Sequence, residues 1–312
     1  MKQFEPVDLI NLSFCSKTTH SFVKTYAKIK DDLEIESFRF YGYSVQFREK
    51  KLIGVVLKER MNPENQIYTN NDFLMGWIGK HGHLCVSQDV VQACREATNY
   101  ICDLFNIPVS TVTVDNDQDT WMLDFAQQRQ EQKLKEVFVH ADVVSAEHYS
   151  RILQCNATET LLCRVCPPRD YRFDGKLPSV TYLDIYSGHW ITRELLLGLD
   201  APYACLERTE LRSADMNAVL RFWLDGGLPN LKCLEICGLA LASVEEIDKS
   251  IRDRFERAQG EITYKRDHLE LGVEFNSDAY HLRREDNAVA TVRISYNQFV
   301  MAVWPDAIGN RV

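Results

Sequence analysis

The sequence predicts an α/β protein built mainly from a degenerate leucine-rich-repeat-like array, with a small helical segment before the array and an antiparallel sheet after it. The pattern apolar-x-x-apolar-x-apolar recurs along the chain from residue 109 onward. Residues 6–30 carry apolar side chains at helical spacing, and apolar and polar residues alternate from residue 269. Repeated strand units with a period of roughly 20–29 residues cannot bury their apolar faces alone, so they stack into one curved sheet.

Composition limits the class of protein. The chain has 312 residues, 45% hydrophobic and 26% charged, as expected for one large globular domain or about two smaller ones. A net charge of -9 would repel a phosphate backbone, so we expect no nucleic-acid partner. The sequence has no signal peptide and no run of the roughly 18 apolar residues that a membrane helix needs, so we expect no membrane partner and a cytoplasmic or nuclear location. The ten cysteines are then expected to be small buried hydrophobes.

The chain before the repeats is expected to contain two helical segments and a strand segment. Residues 6–30 have helical spacing, and Pro6 suits a first-turn position. Residues 38–57 alternate as strands with a polar turn between them, and residues 61–71 have the composition of a loop. Residues 90–105 return to helical spacing, with apolar side chains on one face.

The repeat units start near residues 109, 134, 162, 180, 206 and 231, at separations of 25, 28, 18, 26 and 25 residues. The copies near Leu162 and around Thr209 match the pattern only in part. The alternative is an ordinary α/β sheet with similar connection lengths. The clearer copies have the following apolar positions: Val109, Val112 and Val114; Leu134, Val137 and Val139; Val180, Leu183 and Ile185; Leu231, Leu234 and Ile236.

Two helices and a terminal sheet are expected after the fifth repeat. Residues 216–224 have apolar side chains at i, i+3, i+4, i+7 and i+8, followed by two glycines and a proline that end the helix. Ser243 and Glu246 have capping-box spacing, which predicts a further helix ending at Gly260. Alternating apolar residues from 269 to 304 predict a small antiparallel sheet.

Three groups of residues could in principle bind a metal ion. Asp115, Asp117 and Asp119 begin like a calcium loop, but Thr120 and Ala126 stand where such a loop needs Gly and Glu, so a solvated turn is expected.

The other two groups also lack a full set of ligands. Cys163 and Cys166 form a single C-x-x-C, and Cys233 with Cys237 suits one face of a strand better than a zinc site. The segment GKHGH at residues 79–83 is expected to be an exposed loop. We therefore expect no metal and no cofactor.

The segment EPVDLINLSFCSKTTHSFVK, residues 5–24, resembles the second half of an F-box, in the form common in a large nematode family. In that family this stretch packs on the Skp-type adaptor of a cullin ligase. An F-box begins with a Leu-Pro and a first helix that precede this stretch, so a partial F-box is expected here. The resemblance implies adaptor binding by Pro6, Asp8, Leu9, Leu12, Ser13 and Ser16.

Much of the remaining chain resembles the type 2 F-box-associated domain. The resemblance rests on MNAVLRFWLDGGLPNLKCLEI at 216–236, YHLRREDNAVATVRI at 280–294 and FVMAVWP at 299–305. It implies a partial F-box at 1–30, a β-hairpin segment at 31–60 and an F-box-associated, leucine-rich-repeat-like binding domain at 61–312.

The residues between the inward apolar positions should face solvent on such a sheet. By this rule the exposed positions are Thr111, Thr113, Glu136, Phe138, His140, Tyr182, Asp184, Tyr186, Arg208, Glu210, Arg212, Cys233 and Glu235. We expect target binding by Glu136, Phe138, His140, Tyr182, Asp184, Tyr186, Arg208 and Glu210. The three aromatic residues would form its centre, because exposed aromatic side chains mark interaction hot spots. The alternative is that these are scattered surface residues.

No nucleophile elbow, P-loop or dinucleotide fingerprint is present, so we do not expect an enzyme. The resemblance instead implies substrate recognition in a Skp–cullin–F-box ubiquitin ligase. A stand-alone protein-binding module that has lost ligase attachment is the second interpretation. An enzyme whose site assembles only in three dimensions is the third, and it would require a deep pocket lined by ionisable groups with perturbed pKa values.

Overall fold

The chain folds into two compact units, residues 1–142 and 143–312. The computed structural model describes residues 4–29, 33–38, 42–47, 50–57, 67–70, 73–77, 83–238, 243–267 and 272–312. The division expected from the sequence, at residues 30 and 60, stays a prediction.

The first unit combines helices with one mixed sheet. Its helices are α1 (Pro6–Cys15), α2 (Lys17–Tyr26), α3 (Val90–Phe105) and α4 (Trp121–Arg129). Its strands are β1 (Leu33–Phe38), β2 (Gly42–Phe47), β3 (Lys50–Leu57), β4 (Ile67–Asn70), β5 (Phe73–Trp77), β6 (His83–Ser87), β7 (Val109–Val114) and β8 (Glu136–Val139).

The strands of the first unit lie in the order β8-β7-β1-β2-β3-β6-β5-β4. Strands β8, β7 and β1 run parallel, as do β3 and β6, while the other neighbouring pairs are antiparallel. Helix α3 packs against β2, β3 and β6, and it matches the helix predicted for residues 90–105. Asp89 caps its start by accepting a hydrogen bond from the Gln92 N–H at 2.9 Å.

Residues 6–30 are helical over most of their length, as predicted, and the structure divides them into two helices, α1 and α2. Ser16 separates them in an extended conformation, with φ -165° and ψ 164°. Its hydroxyl accepts a hydrogen bond from the Thr19 N–H, and the Thr19 hydroxyl accepts one from the Ser16 N–H, at 3.1 and 2.9 Å. This reciprocal capping starts a new helix and outweighs the continuous apolar spacing.

Several expectations for residues 30–83 lie partly outside the described residues. The predicted strands at 38–57 correspond to β1, β2 and β3, which begin earlier, at Leu33. The loop predicted for residues 61–71 contains β4, while residues 58–66 lie outside the described part. Of the GKHGH segment only His83 is described, at the start of β6.

The second unit is also α/β. Its helices are α5 (Ala146–Leu153), α6 (Arg193–Leu197), α7 (Ser213–Leu224) and α8 (Lys249–Arg252). Its strands are β9 (Thr160–Cys163), β10 (Tyr182–Ile185), β11 (Tyr203–Leu206), β12 (Cys233–Cys237), β13 (Phe255–Arg257), β14 (Ile262–Tyr264), β15 (Val273–Phe275), β16 (Tyr280–Arg283), β17 (Val289–Ser295) and β18 (Gln298–Trp304).

The main sheet of the second unit has the order β13-β16-β17-β18-β12-β11-β10-β9. Strands β9 to β12 are parallel neighbours in chain order, and β18 joins β12 in antiparallel fashion. Strands β16, β17 and β18 form antiparallel hairpins, and β14 pairs with β15 in a separate two-stranded sheet. The mixed α/β class and the antiparallel sheet at the end of the chain are therefore confirmed, whereas the leucine-rich-repeat-like array stays a prediction.

The repeated apolar pattern correctly predicts which residues point into the core. All the positions of its four clearer copies, three in each, are at most 5% exposed. They lie on or directly before β7, β8, β10 and β12, where branched apolar side chains pack on one face of a strand. In the second unit, residues 216–224 form α7 as predicted, with Trp223 buried to 1% exposure.

The continuous helix predicted from Ser243 to Gly260 is wrong. The chain instead forms a short 3-10 turn (Val244–Glu246), the four-residue helix α8 and then β13. Asn217 on α7 explains the break, because its side chain accepts a hydrogen bond from the Asp248 N–H at 2.8 Å and donates one to the Glu246 carbonyl at 3.2 Å. Arg221 also forms an ion pair with Asp248. These tertiary contacts replace the hydrogen bonds that a helix would make.

Among the described residues, no helix combines the length and the apolar character required to cross a membrane.

Candidate functional site

Strands β10, β11 and β12 present a second face, opposite the apolar positions of the repeat, which we call the outer face. Its residues are Tyr182, Asp184 and Tyr186; Tyr203, Cys205 and Glu207; Cys233, Glu235 and Cys237. Tyr186 and Glu207 directly follow their strands. Side chains alternate between the two faces of a strand, so these nine form three neighbouring columns.

One part of the outer face is covered by the segment that follows β13. Tyr264, Phe275 and Trp304 pack with Tyr203 and Cys233 in one buried apolar cluster. The expectation that Cys233 is exposed is therefore wrong, since it is only 1% exposed. An apolar cover of this kind removes the thiol from water, which raises the pKa of Cys233.

Tyr182 lies at the border of this cover and is half-buried. Its ring stacks on Tyr203, with the centroids 4.7 Å apart and the planes 9° apart. Its hydroxyl donates a hydrogen bond to the Asp267 carbonyl. Tyr182 therefore contributes to the border of the covered part, and Asp184 and Tyr186 lie beyond it along the same strand.

The predicted register of β11 is wrong. Arg208, Glu210 and Arg212 were expected on the strand, but β11 ends at Leu206. The residues that occupy the outer face there are Cys205 and Glu207, which the repeat pattern does not identify. The sequence contains a weak signal for the correct register, because Ala201, Ala204 and Leu206 have the repeat spacing. All three are at most 4% exposed in the structure. This copy of the repeat is hard to recognise because alanines stand at two positions where the other copies have larger apolar residues.

The outer face also holds three carboxylates, those of Asp184, Glu207 and Glu235, and the last of these forms an ion pair with Arg266. Asp184 is next to Cys205 and Cys205 is next to Glu235 across the parallel strands, and Glu207 follows β11 on the same face. Burial raises the pKa of Asp184, and the charges of Glu207 and Glu235 raise it further against the lowering effect of Arg164. Burial also raises the pKa of the Cys205 thiol, followed by the effects of the same acidic neighbours. The surface thus has a locally negative, partly dehydrated centre.

Tyr186 and Arg208 border this centre at the end of the strands. The Arg208 guanidinium carbon lies 4.0 Å from the centroid of the Tyr186 ring, and the guanidinium donates to the Tyr186 hydroxyl. Such a pair combines a cation–π contact with a hydrogen bond. Arg208 has a positive φ of 50°, and Gly238 lies directly against its backbone. The structure thus brings together Tyr186 and Arg208 among the predicted target-binding residues, whereas Glu210 is exposed beyond the strand.

The remaining predicted target-binding residues lie in the first unit. Glu136 and Phe138 are half-exposed on β8, and His140 is exposed just after it. Thr111 and Thr113 on the neighbouring β7 were expected to be exposed, which is wrong, since both are 7% exposed. Their hydroxyls donate to the carboxylates of Glu136 and Glu34, at 3.3 and 2.7 Å, and those longer side chains cover them.

The predicted adaptor-binding residues lie on and directly after α1. Pro6, Leu9 and Leu12 are partly exposed, and Asp8 and Ser16 are exposed. Ser13 is buried, because its hydroxyl donates to the Ile10 carbonyl at 2.6 Å and bonds to the Tyr100 hydroxyl of α3 at 2.5 Å. The side chain of Ser13 therefore attaches α1 to α3. Helix α2 exposes Phe22 and Tyr26, which are 57% and 69% accessible.

The candidate metal ligands have structural partners. Asp119 was expected in a solvated turn, which is wrong, since it is 5% exposed and accepts hydrogen bonds from Tyr43 and Asn116 at 2.7 and 2.8 Å. Cys163 is buried on β9, while the Cys166 sulfur lies 3.0 Å from the Ser187 hydroxyl oxygen. In the part of the chain that the structure describes, no group of three or more His, Cys, Asp or Glu side chains could hold a metal ion.

A cleft of about 580 Å³ lies at the other end of the parallel strands, where β10, β11 and β12 begin. Its lining includes Pro202, Lys232 and Trp304. Asp200, also in the lining, accepts hydrogen bonds from Ser179 and Asn230 at 2.7 Å each, and these bonds lower its pKa. The cleft therefore has a mixed polar and apolar lining, in which neighbouring side chains hold the Asp200 carboxylate.

Comparison with known proteins gives a match to a protein family. A protein-family model described as F-box associated matches residues 176–236. That span contains β10, β11 and β12, and thus the outer face with Asp184, Glu207 and Glu235. Neither a curated protein nor a solved structure matches the chain. Over the matched span the chain is similar to F-box-associated domains, which indicates a role in binding other proteins.

Proposed function

We propose that this chain is the substrate-recognition subunit of a Skp–cullin–F-box type ubiquitin ligase, acting in the cytoplasm or nucleus, and that it has no catalytic activity of its own. It would bind a target protein through its F-box-associated part and hold that target near the ubiquitin-carrying enzyme. The contribution to catalysis would be proximity alone, which raises the effective concentration of the reacting groups. The observation that carries the proposal is the family match over the strands that form the outer face.

The geometry of the second unit supports the binding half of the proposal. Repeat architectures bind partners along the exposed faces of successive strands, and we interpret β9 to β12 as a leucine-rich-repeat-like array of this kind. Tyr186 and Arg208 belong to the residue types that contribute most to protein interfaces. Their contact fixes both side chains before a partner arrives, which reduces the entropy lost on binding.

The geometry of the first unit supports the attachment half. Residues 5–24 resemble part of a nematode-type F-box, and they form two helices rather than a loop. Leu9 and Leu12 are partly exposed on α1, and α2 adds the exposed rings of Phe22 and Tyr26. Exposed apolar groups on adjacent helices suit a helical partner such as the Skp-type adaptor.

The experiment is a binding measurement between the full chain and a purified Skp-type adaptor, by size-exclusion chromatography and calorimetry. We expect a stable complex. Asp8→Lys should weaken it, since Asp8 is exposed and its replacement leaves the core of the unit unchanged. Lys28→Glu, also at an exposed position but beyond α2, serves as the charge-reversal control.

Absence of a complex between the wild-type chain and the adaptor would reject ligase attachment. The alternative would then be a stand-alone protein-binding module that has lost that attachment. Equal affinities of wild type and Asp8→Lys would also contradict an adaptor contact through α1. Circular dichroism of each variant distinguishes a lost contact from a lost fold.

A further inference from the structure

The outer face already binds one guanidinium, supplied by the chain itself. Arg266, in the segment after β14, places Nη1 2.5 Å from a carboxylate oxygen of Glu235, and both side chains are under 20% exposed. This contact shows that a carboxylate of the outer face binds a guanidinium where the face is covered. A planar guanidinium matches a carboxylate better than an ammonium does, because it offers paired N–H donors in a fixed geometry.

The next two carboxylates on the same face have no such partner. Within the described residues, the Asp184 and Glu207 carboxylates make no hydrogen bond and no ion pair within 4.0 Å. Arg164 is the cation whose charge acts on Asp184, but its side chain is exposed and forms no salt bridge with it. Both acids are only partly accessible to water, which weakens their solvation.

Strand register brings these two carboxylates to the same place. Asp184 lies beside Cys205, and Tyr186 and Glu207 directly follow the last paired residues of the two strands, Ile185 and Leu206. Asp184 and Glu207 are thus diagonal neighbours on one face, close enough for long side chains to interact. Two like charges that are partly buried side by side destabilise the free chain, and a cation placed between them would remove that cost.

We propose that the uncovered outer face binds an extended, arginine-bearing segment of a target protein, with one guanidinium between Asp184 and Glu207. This inference rests on the proposed protein-binding function and names the chemistry of the partner. The guanidinium of the segment would lie next to that of Arg266, so that guanidinium groups contact the outer-face carboxylates one after another. Arg208 borders the site on its other side, where it suits an acidic group of the partner and sets the direction in which the segment lies.

The test uses the full chain and a fluorescein-labelled peptide of Gly-Arg repeats, with Gly-Lys and Gly-Glu peptides of equal length. Fluorescence anisotropy should show saturable binding of the Gly-Arg peptide, weaker binding of Gly-Lys and no binding of Gly-Glu. The double variant Asp184→Asn with Glu207→Gln should weaken Gly-Arg binding about ten-fold or more, since two charge-assisted contacts are lost.

The matched control is Asp170→Asn with Glu261→Gln, which removes the same charge at two exposed positions away from the outer face. Its affinity for the Gly-Arg peptide should stay within about two-fold of wild type. Thermal unfolding gives a second readout, because removing the uncompensated carboxylates should raise the melting temperature of the double variant and not that of the control.

Equal Gly-Arg affinity of the double variant and the wild type would overturn the proposal. So would binding of Gly-Glu at least as tight as that of Gly-Arg. Failure here can be distinguished from failure of the proposed function, since the adaptor complex is measured separately. A chain that binds the adaptor but not the Gly-Arg peptide would retain the ligase assignment and lose only this site.

Discussion

The Tyr182 and Tyr203 rings lie in parallel planes on adjacent strands, and the hydroxyls of both contact Asp267. Tyr182 donates to the Asp267 carbonyl, while the Tyr203 oxygen lies 3.4 Å from a carboxylate oxygen of the same residue. Burial raises the pKa of Tyr203 to about 12. The stacked pair therefore connects β10 and β11 to the segment that covers the outer face.

We expect the two tyrosines to stabilise the second unit jointly. Tyr182→Leu and Tyr203→Leu should each lower the free energy of unfolding, and a double-mutant cycle should give a coupling of about 0.5–1.5 kcal/mol, as for other aromatic pairs. Urea unfolding followed by tryptophan fluorescence measures all four proteins. Tyr296→Leu is the control, because Tyr296 is 79% exposed and should leave stability unchanged. Strictly additive effects would show that the stack contributes nothing beyond burial.

Arg284 is expected to stabilise the contact between α7 and the terminal sheet. Its guanidinium carbon lies 5.0 Å from the centroid of the Trp223 ring, and Nη1 donates to the Trp223 carbonyl at 3.3 Å. Arg284→Met should lower the free energy of unfolding by roughly 1–2 kcal/mol, through loss of the cation–π contact and the hydrogen bond.

A variant at Asp286 distinguishes the contact of Arg284 with Trp223 from the surface ion pair of Arg284 with Asp286. It binds Arg284 at 2.7 Å but is exposed, and the hydrogen bonds from Arg284 lower its pKa to about 2. Asp286→Asn should therefore cost less stability than Arg284→Met in the same denaturation experiment. Equal losses for the two variants would assign the effect to the ion pair and not to the contact with Trp223.

The sequence allows the inward faces of the sheet strands to be predicted, but not what covers the other face. Val112, Val137 and Leu183 are identified by local spacing, because a half-buried strand needs apolar residues at every second position. Tyr264 and Phe275 reach the outer face from a segment distant in sequence, and nothing local to Cys233 indicates this contact. The prediction that Cys233 is exposed is therefore wrong because the residues that cover it are distant in sequence.

Only some residues of the candidate site can be predicted from the sequence. Asp184 and Tyr186 were identified because β10 follows the apolar pattern closely. Glu207 was missed because alanines replace the larger residues of that pattern before and within β11, so the expected strand lies several residues too late. The break at residue 247 could not be predicted either, since it depends on hydrogen bonds from Asn217 on another helix.

We expect His281 to make the stability of the second unit depend on pH. It is half-buried on β16, with Nδ1 3.0 Å from the Thr291 hydroxyl oxygen, which in turn accepts a hydrogen bond from Trp304 at 2.8 Å. Burial lowers the pKa of His281 below its ordinary value of 6.5, Glu256 raises it and Arg283 lowers it. The unfolded chain therefore binds a proton at a higher pH than the folded chain does.

It follows that this part of the stability is fully present above pH 6.5 and is lost as the pH falls through 6.5 toward the folded pKa. His281→Gln should reduce the pH dependence of the melting temperature between about pH 5 and pH 8. His140→Gln, at an exposed position, should keep the wild-type profile. A profile for His281→Gln identical to that of wild type would assign the pH dependence to other groups.

Gly238 sets the distance between the end of β12 and Arg208, so we expect it to control the Tyr186–Arg208 pair. Its φ is 86°, and a Cβ atom added there would lie 2.9 Å from the Arg208 Cα, a backbone atom that cannot move aside cheaply. Gly238→Ala should therefore combine the cost of a left-handed conformation with a steric clash, roughly 1–3 kcal/mol in total.

Gly260 provides the matched comparison for that variant. It has a similar φ of 76°, but an added Cβ would meet no atom within 4 Å. Gly260→Ala should thus show only the conformational cost, about 1 kcal/mol, in urea unfolding, and the difference between the two variants measures the clash. Because the clash displaces the backbone of Arg208, Gly238→Ala should also weaken binding at the outer face, whereas Gly260→Ala should not. Equal stability losses for the two alanine variants would mean that β12 and Arg208 can separate without cost, and that their close approach does not position the Tyr186–Arg208 pair.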